Sequence, residues 1–467
     1  MTPELATQVL EDTRTAPSVP ATTTSPTEGT TQGAPQGEAQ GLDQAVVAVV
    51  GLGYVGLPTA IALRAAGARI IGIDISSRRL EEIRAGEAEL LAVEQEQLSG
   101  YLQDGGFSLT DRPEALEAAD LVLVCVPTPV DEERRPEPVA LERACEAVVR
   151  HARAGQTFVL TSTSYVGATR KLLVEPLEER GLRAGEEVFV AFAPERIDPG
   201  VGEHVQLNTP RVIGGVSESC RRQASTLLSH TCSELHPVSS PEGAEMVKLY
   251  ENTFRALNIA LSFEIAEACR EHGLDPVEVT EAAASKPFGF MAHYPSAGVG
   301  GHCIGVDPHY LTFPLRERGR PANLVEEAMR KLAGRPGQIV QRAQEMLCDE
   351  GRELEGSRVL VVGVSYKPGV ADCREAPALE IISLLRAEGA TVEYHDPLLE
   401  TVTLEGRTEA GVDPDPRRDR SGFGPEDYDL AIVATVHPGF DYGWLHRVPT
   451  VLDCTYRTPG GRRREVP

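Results

Sequence analysis

No two of the nine cysteines form a CxxC pair, and the nine are odd in number and scattered along the chain. With no secretory leader in view, this argues against a disulfide framework and makes reduced thiols the expectation. The Met1 end carries no basic stretch running into an apolar one, so no signal peptide is read there. Apolar runs are broken by glycine and proline well short of the ~18–20 residues a membrane span needs. Positive charge is scarce too. The 45 Lys and Arg face 70 Asp and Glu, a formal net charge of −25, and neutralising nucleic-acid phosphates takes clustered cations. That balance leaves room for a small anionic ligand, which needs only one local positive site. A cytoplasmic protein is expected, with neither nucleic acid nor membrane as partner.

What is present is ordinary for a globular chain, 41% apolar and 25% charged. At 467 residues it exceeds the ~250–300 at which a single core stops growing, so more than one core is expected. Residues 1–44, including "TRTAPSVPATTTSPTEGTTQGAPQGEAQG", hold few large apolar groups and read as a disordered tail. From "AVVAVVGLGYVGLPTAIALRAAGARIIGIDIS" onward, β-branched runs alternate with helical patterns. Two-sided apolar runs such as "DLVLVCVP", "TFVLTSTS" and "EVFVAFAPER" suit a mostly parallel sheet. A long helical pattern begins near residue 241, is stopped by Gly273, and is followed by more helices to about residue 350. Then "RVLVVGVSYKPG", "TVEYHDP", "DLAIVATVHPG" and "TVLDCTY" restore the strand-then-loop order. The expected fold is α/β, with one α/β domain over 45–238, a helical middle over 239–345 and a second α/β domain over 346–467.

"GLGYVG" follows the first strand directly. Gly51 permits a tight turn, Gly53 lets backbone approach a pyrophosphate, and Gly56 allows a helix to pack close to the strand. Tyr54 and Val55 lie between them, and the new helix points its positive end at the phosphates. Asp74 closes the second strand at roughly the ~20-residue offset expected of a ribose-binding carboxylate, which favours NAD over NADP. Arg78 and Arg79 stand nearby, and an arginine there can instead accept a 2′-phosphate.

"GVGGHCIGVDPHY" places Cys303 among glycines. The thiol could be half a disulfide, a metal ligand, filler or a nucleophile. A zinc site from His302, Cys303 and His309 is disfavoured because no second cysteine pair supports it, so no metal is expected. Beside a nicotinamide, a thiolate can add to an aldehyde, and a second oxidation then leaves a thioester for water to cleave. A free thiol near pKa ~8.5 would need lowering, by His302, loop N–H groups or a lysine from elsewhere.

At this point the motifs resemble the nucleotide-sugar 6-dehydrogenases. "GLGYVGLP", "CVPTP", "TSTSYVG", "FAPERIDPG", "AEMVKLYENTFRALNIA", "GVGGHCIGVDPHYL" and "GVSYKPGVADCREAPA" occur in order from about 45 to 457. The resemblance implies two Rossmann-like domains joined by a long central helix that also builds a homodimer. It implies NAD on the first domain and a UDP-sugar largely on the last. Carried over by position, Cys303 is the nucleophile, and Lys248 and Asn252 stabilise the oxyanion and position water. Asp307 assists them, Thr163 lies near the nicotinamide, and Glu195 is a base in the hydrolytic stage. Thr128 and Arg374 join Gly51, Gly53, Tyr54, Val55, Gly56, Asp74 and Arg79 around the cofactor, with Arg374 reaching across from the C-terminal domain. Glu195, Arg196, Lys248, Asn252, Arg255, Phe288, Tyr294, Gly301 and Lys367 are the implied substrate contacts. Glu195 and Asp307 also have a plainer reading, as structural partners of Arg196 and Lys248.

Departures from the family pattern bear on the sugar. Members taking UDP-glucose usually carry Lys–Asp after the nucleophile and "PEFLxEG"; this chain has Val306–Asp307 and "PERIDPG", with Pro199 where some relatives keep a glutamate. "KPFGFMAHYPSAGVGGHC" looks like members that oxidise UDP-N-acetylhexosamines. UDP-N-acetylglucosamine is the preferred substrate, ahead of UDP-N-acetylmannosamine and UDP-glucose. Two rivals are a single-step hydroxy-acid dehydrogenase and a non-catalytic NAD- or UDP-sugar-binding redox sensor.

Overall fold

The computed structural model describes Leu42 and residues 45–90, 92–196, 208–404, 406–413, 424–458 and 463–465. Nearly all of the expected tail, and Pro199, lie outside these residues. Eight strands form the first sheet: β1 (Val46–Val50), β2 (Arg69–Ile73), β3 (Phe107–Thr110), β4 (Leu121–Val124), β5 (Thr157–Leu160), β6 (Phe189–Phe192), β7 (Arg211–Gly215) and β8 (Leu235–Val238). Their order is β3-β2-β1-β4-β5-β6-β7-β8, parallel throughout except where β7 runs antiparallel to β6. Alternation explains the two-sided burial. Val47, Val49, Leu121 and Leu123 enter one core, while Ala48, Val122 and Val124 enter the core on the opposite face.

The second sheet repeats the design with β9 (Arg358–Val362), β10 (Thr391–His395), a separate hairpin of β11 (Thr401–Leu404) and β12 (Arg407–Ala410), then β13 (Leu430–Val433), β14 (Thr450–Asp453) and β15 (Arg463–Glu465). The parallel order is β10-β9-β13-β14-β15. Val359 and Val361 face one core, Leu360 and Val362 the other. Between the sheets runs the helix Pro241–Glu271, 31 residues long and so ~46 Å in extent. Ser240 caps it by accepting the Gly243 N–H, and Gly273 at φ 65° follows its end. Its Ala256, Ala260 and Phe263 pack on Ala328, Met329 and Leu332 of the helix Asn323–Asp349. That second helix lays Ile339, Val340 and Ala343 into the C-terminal core. The two long helices therefore fix one sheet relative to the other.

One turn is built twice. Gly51 (φ 88°) donates its N–H to Ile73 O at 2.8 Å, and the next N–H, of Leu52, reaches Asp74 Oδ2 at 2.9 Å. Gly363 (φ 80°) donates to His395 O at 2.7 Å, and Val364 N–H reaches Asp396 Oδ2 at 2.8 Å. A Cβ at either glycine would meet a carbonyl just past the neighbouring strand, Cys125 O at 2.7 Å or Thr435 O at 2.0 Å.

The two carboxylates differ in their surroundings. Asp396 is buried and also accepts from the Ser365 N–H and hydroxyl, from Leu398 N–H, and from His437 Nε2 at 3.2 Å. His437 Nδ1 accepts the Gly369 N–H, so Nε2 carries the proton and donates to Asp396. Burial pushes Asp396 upward, but the bonds from His437, Leu398 and Ser365 prevail and hold it at about 2. An unfolded aspartate sits near ~3.9. The stability this carboxylate contributes is therefore complete above that value and lost as pH falls through about 2. Asp396→Asn should destabilise the protein by about 2 kcal/mol at neutral pH. In urea titrations, the gap from the parent protein should narrow over the range from about pH 4 to pH 2.

Candidate active site

The first turn fits a dinucleotide. A Cβ at Gly56 would lie 1.8 Å from Gly51 O, so helix and strand close only with glycine there, whereas around Gly53 nothing stands within 4 Å. That leaves bare backbone at the start of the helix Gly56–Ala65 for a pyrophosphate to approach. Asp74 holds the loop by accepting from Leu52 N–H and Ser76 N–H, each at 2.9 Å. Arg79 Nε donates to Leu52 O at 3.0 Å, and its Nη1 pairs with Glu89 at 2.7 Å and Glu82 at 3.4 Å. Exposed Arg78 also pairs with Glu82. The arginine best placed to take a 2′-phosphate is thus committed elsewhere, while a carboxylate stands where a ribose would be read. This donor set suits NAD.

Arg374 does cross from the second sheet's side. Its guanidinium lies 4.1 Å from the centroid of the Tyr54 ring, gripped by Asp372 through two nitrogens at 3.0 Å. Burial, then the Asp372 charge, push the Tyr54 hydroxyl well above its ordinary value. Thr128 and Thr163 are half-buried just beyond β4 and β5, at the strand ends where a doubly wound sheet binds ligands. The loop after β5 is anchored from the long helix. The buried Glu245 carboxylate accepts from Gly167 N–H, Thr169 N–H and the Thr169 hydroxyl.

Cys303 is exposed, although protein walls most of its surroundings. Burial and then the Asp307 charge push the thiol up, while Lys248 and Arg255 pull it down. The activating groups differ from one sequence expectation. His302 is not among the charges acting on the sulfur, and its own imidazole is pushed down by burial and by Arg374.

Lys248 and Asn252, four residues apart on the long helix, do face one way. Lys248 Nζ donates to Glu195 O at 2.9 Å, and Asn252 Nδ2 donates to Asp307 Oδ2 at 2.5 Å. Asp307 opens the helix Asp307–Glu317, is 3% exposed, and ties back through its N–H to Cys303 O at 2.8 Å. Burial pushes its carboxyl up to about 6 against the pull of Lys248 and the Asn252 hydrogen bond.

The plainer reading of Glu195 is corrected in its partner. Arg196 gives Glu195 only its backbone N–H, at 2.8 Å, and turns its side chain to Glu251 at 2.6 Å and Pro210 O at 3.0 Å. The cation facing the buried Glu195 carboxylate is Arg211, at 3.6 Å. The sequence reading singled out neither Arg211 nor Glu251. A charged residue opening the apolar run "RVIGG" was the available signal, because a buried cation needs a partner.

The glycines before the thiol have a second use that the sequence did not suggest. A Cβ at Gly298 would meet Pro377 at 2.9 Å, one at Gly300 would meet Tyr366 at 2.7 Å and Glu375 O at 2.8 Å, and one at Gly301 would meet the Tyr366 ring at 3.3 Å. They let the reactive loop dock on the C-terminal domain, whereas Gly305, beyond the thiol, stands in open space. Among the expected substrate contacts, Arg255 is exposed yet close enough to act on the thiol, and Lys367 is half-buried. Tyr294 lies beneath Arg457 at 5.9 Å. Phe288 is 70% exposed, with the Lys286 ammonium 4.9 Å from its ring centroid, in a stretch without helix or strand.

Comparison with known proteins places the chain in one family. Three models of the UDP-glucose/GDP-mannose dehydrogenase family match: the NAD binding domain over 45–232, the central domain over 242–331 and the UDP binding domain over 360–456. The chain is 32% identical over 396 residues to the UDP-N-acetyl-D-glucosamine 6-dehydrogenase of Pseudomonas aeruginosa, covering 84% of this chain and 91% of that one. It is 33% identical over 402 residues to the UDP-N-acetyl-D-mannosamine dehydrogenase of Pyrococcus horikoshii, covering 84% and 90%. Among solved structures, a UDP-D-ManNAc dehydrogenase from Pyrococcus horikoshii superposes with a TM-score of 0.80 at 30% identity, over 90% of this chain and 98% of that one. A UDP-glucose dehydrogenase from Pyrobaculum islandicum superposes at 0.78 and 27% identity, over 91% and 98%.

Proposed function

The chain belongs to the UDP-glucose/GDP-mannose dehydrogenase family, and on that premise we propose that it oxidises the C6 hydroxyl of a UDP-N-acetylhexosamine to the uronic acid. It is an NAD-dependent oxidoreductase. The observation that carries the reading is the convergence on Cys303 of Lys248 and Asp307 from two helices, with Asn252 bonded to Asp307.

Gly51, Gly53 and Gly56 would hold the cofactor's pyrophosphate and Asp74 a ribose, with Arg374 closing over Tyr54. When bound, NAD accepts a hydride at each of two oxidations. The Cys303 sulfur adds to the C6 aldehyde to form a thiohemiacetal, whose oxidation leaves a thioester. Water then attacks C6, the C–S bond breaks, the thiol is regenerated and a carboxylate departs. Lys248 steadies the developing oxyanion. Asn252 holds Asp307, which is ionised above about pH 6, and Glu195 takes the proton of the attacking water.

UDP-N-acetylglucosamine is the preferred substrate. The two relatives named for UDP-N-acetyl sugars, at 32% and 33% identity, support an N-acetyl sugar. An N-acetyl amide buried without partners would cost ~1–3 kcal/mol, so the site must answer it. UDP-N-acetylmannosamine and UDP-glucose are the alternatives. The enzyme acts as a homodimer in the cytoplasm. Met246, Tyr250, Phe254, Leu261 and Ile265 form an exposed apolar stripe on the long helix, a surface that a second copy would cover. Among the described residues no helix is long and apolar enough to cross a membrane.

Offering UDP-sugars singly with NAD and following NADH absorbance tests the reading. Two NADH per UDP-N-acetylglucosamine, with little from UDP-glucose, is the expected result. One NADH per sugar would overturn the thioester route. Turnover with UDP-glucose alone would overturn the sugar preference, and silence with every sugar would favour a binding protein.

A further inference from the structure

Arg211 heads β7 with 1% of its surface exposed. Its Nη2 donates to Ala193 O at 3.1 Å and stands 3.6 Å from Glu195 Oε2, while Nε and Nη1 have no hydrogen-bond partner among the described residues. A guanidinium so poorly satisfied is costly to bury, and its use for packing alone is poor, since an apolar side chain of that volume would fill the space without the loss.

We infer that Arg211 is a positioning residue for the hydrolytic step, holding the Glu195 carboxylate aimed so that it can take the proton of the attacking water. This rests on the reading of Glu195 as that base. A buried carboxylate is held in place best by a cation beside it, and arginine keeps its charge throughout the working pH range. Arg196 spends its side chain on Glu251, and Lys248 reaches the Glu195 main-chain oxygen. Two thiols complete the surroundings. Cys125 is pushed up to about 12 by burial, with Arg211 pulling down and Glu195 pushing up, and Cys232 is pushed up by the same causes in the same order. Both stay neutral. Antiparallel pairing of β7 with β6 sets the contact: Phe192, the last residue of β6, pairs with Gly214, and three residues further along that register Arg211 stands beside Glu195.

The test compares Arg211→Met, which keeps the stem's volume without charge, with Arg211→Lys and Glu195→Gln, using rapid mixing and pH profiles of kcat. Arg211→Met should lower kcat about tenfold or more and move the acidic limb upward by about one pH unit or more. The fast NADH burst of the oxidations should survive, with KM for both substrates within about twofold of the parent. Arg211→Lys should move the limb in the same direction by less. A slower Arg211→Met enzyme with an unmoved limb would make Arg211 merely structural and overturn the inference. If that variant does not fold, an unmoved limb in Arg211→Lys with a lowered rate has the same force. Glu195→Gln turning over at the full rate would instead remove Glu195 as the base, and the inference with it.

Discussion

Cys303→Ala should lower uronate formation by about 10³-fold or more, since the covalent stage has no other nucleophile to pass through. Binding of NAD and of the UDP-sugar should persist. The alternatives raised for this thiol predict otherwise. Filler would be buried, and Cys303 is exposed. A disulfide half would need a partner, and the nine described cysteines are all free. Because burial and Asp307 push the thiol up, the sulfur rests protonated and becomes a nucleophile only as its proton leaves, helped by Lys248 and Arg255. End-point assay of the UDP-uronic acid by chromatography, beside calorimetric titration of both ligands, checks this. Normal amounts of acid from the alanine variant would sink the covalent route.

Lys248→Met should lower kcat by about 10²–10³-fold, the usual cost of losing one donor to a developing oxyanion. The ammonium pulls down both the Cys303 thiol and the Asp307 carboxyl. Without it both groups must rise, so less thiolate and less carboxylate are available at a given pH. The acidic limb of the rate profile should therefore move upward as well. Lys248 is half-buried on a helix secured by other residues, so the melting temperature should change little. Steady-state kinetics with thermal melts separates the outcomes. A rise in KM with kcat unchanged would mean that Lys248 only holds the sugar, and the oxyanion role would fall.

The order of domains and the cofactor turn were legible because they rest on local rules. "GLGYVG" after a β-branched run, and the strand-ending Asp74, need only short-range geometry, and the glycine contacts show the same requirement from the other side. The long helix followed from its period and from Gly273. Contacts made by strands distant in sequence were not legible. That Glu195 meets Arg211 and not its neighbour Arg196 depends on β7 reversing direction beside β6, which no local pattern encodes. The doubled turn was half legible. "VVGLG" and "VVGVS" look alike, but the carboxylate saturated by His437 emerges only once β13 delivers that histidine to the end of β10.

The docking of Gly298, Gly300 and Gly301 onto Tyr366, Glu375 and Pro377 limits how far this chain can be treated as interchangeable parts. A chimera that took its last domain from a relative, with the boundary drawn between the long helices and β9, would inherit a foreign surface beneath its own reactive loop. Where that surface is bulkier by one methyl group, the thiol moves. Loop and platform form a matched pair drawn from two domains, and recombination would have to carry both together for the sulfur to keep its place.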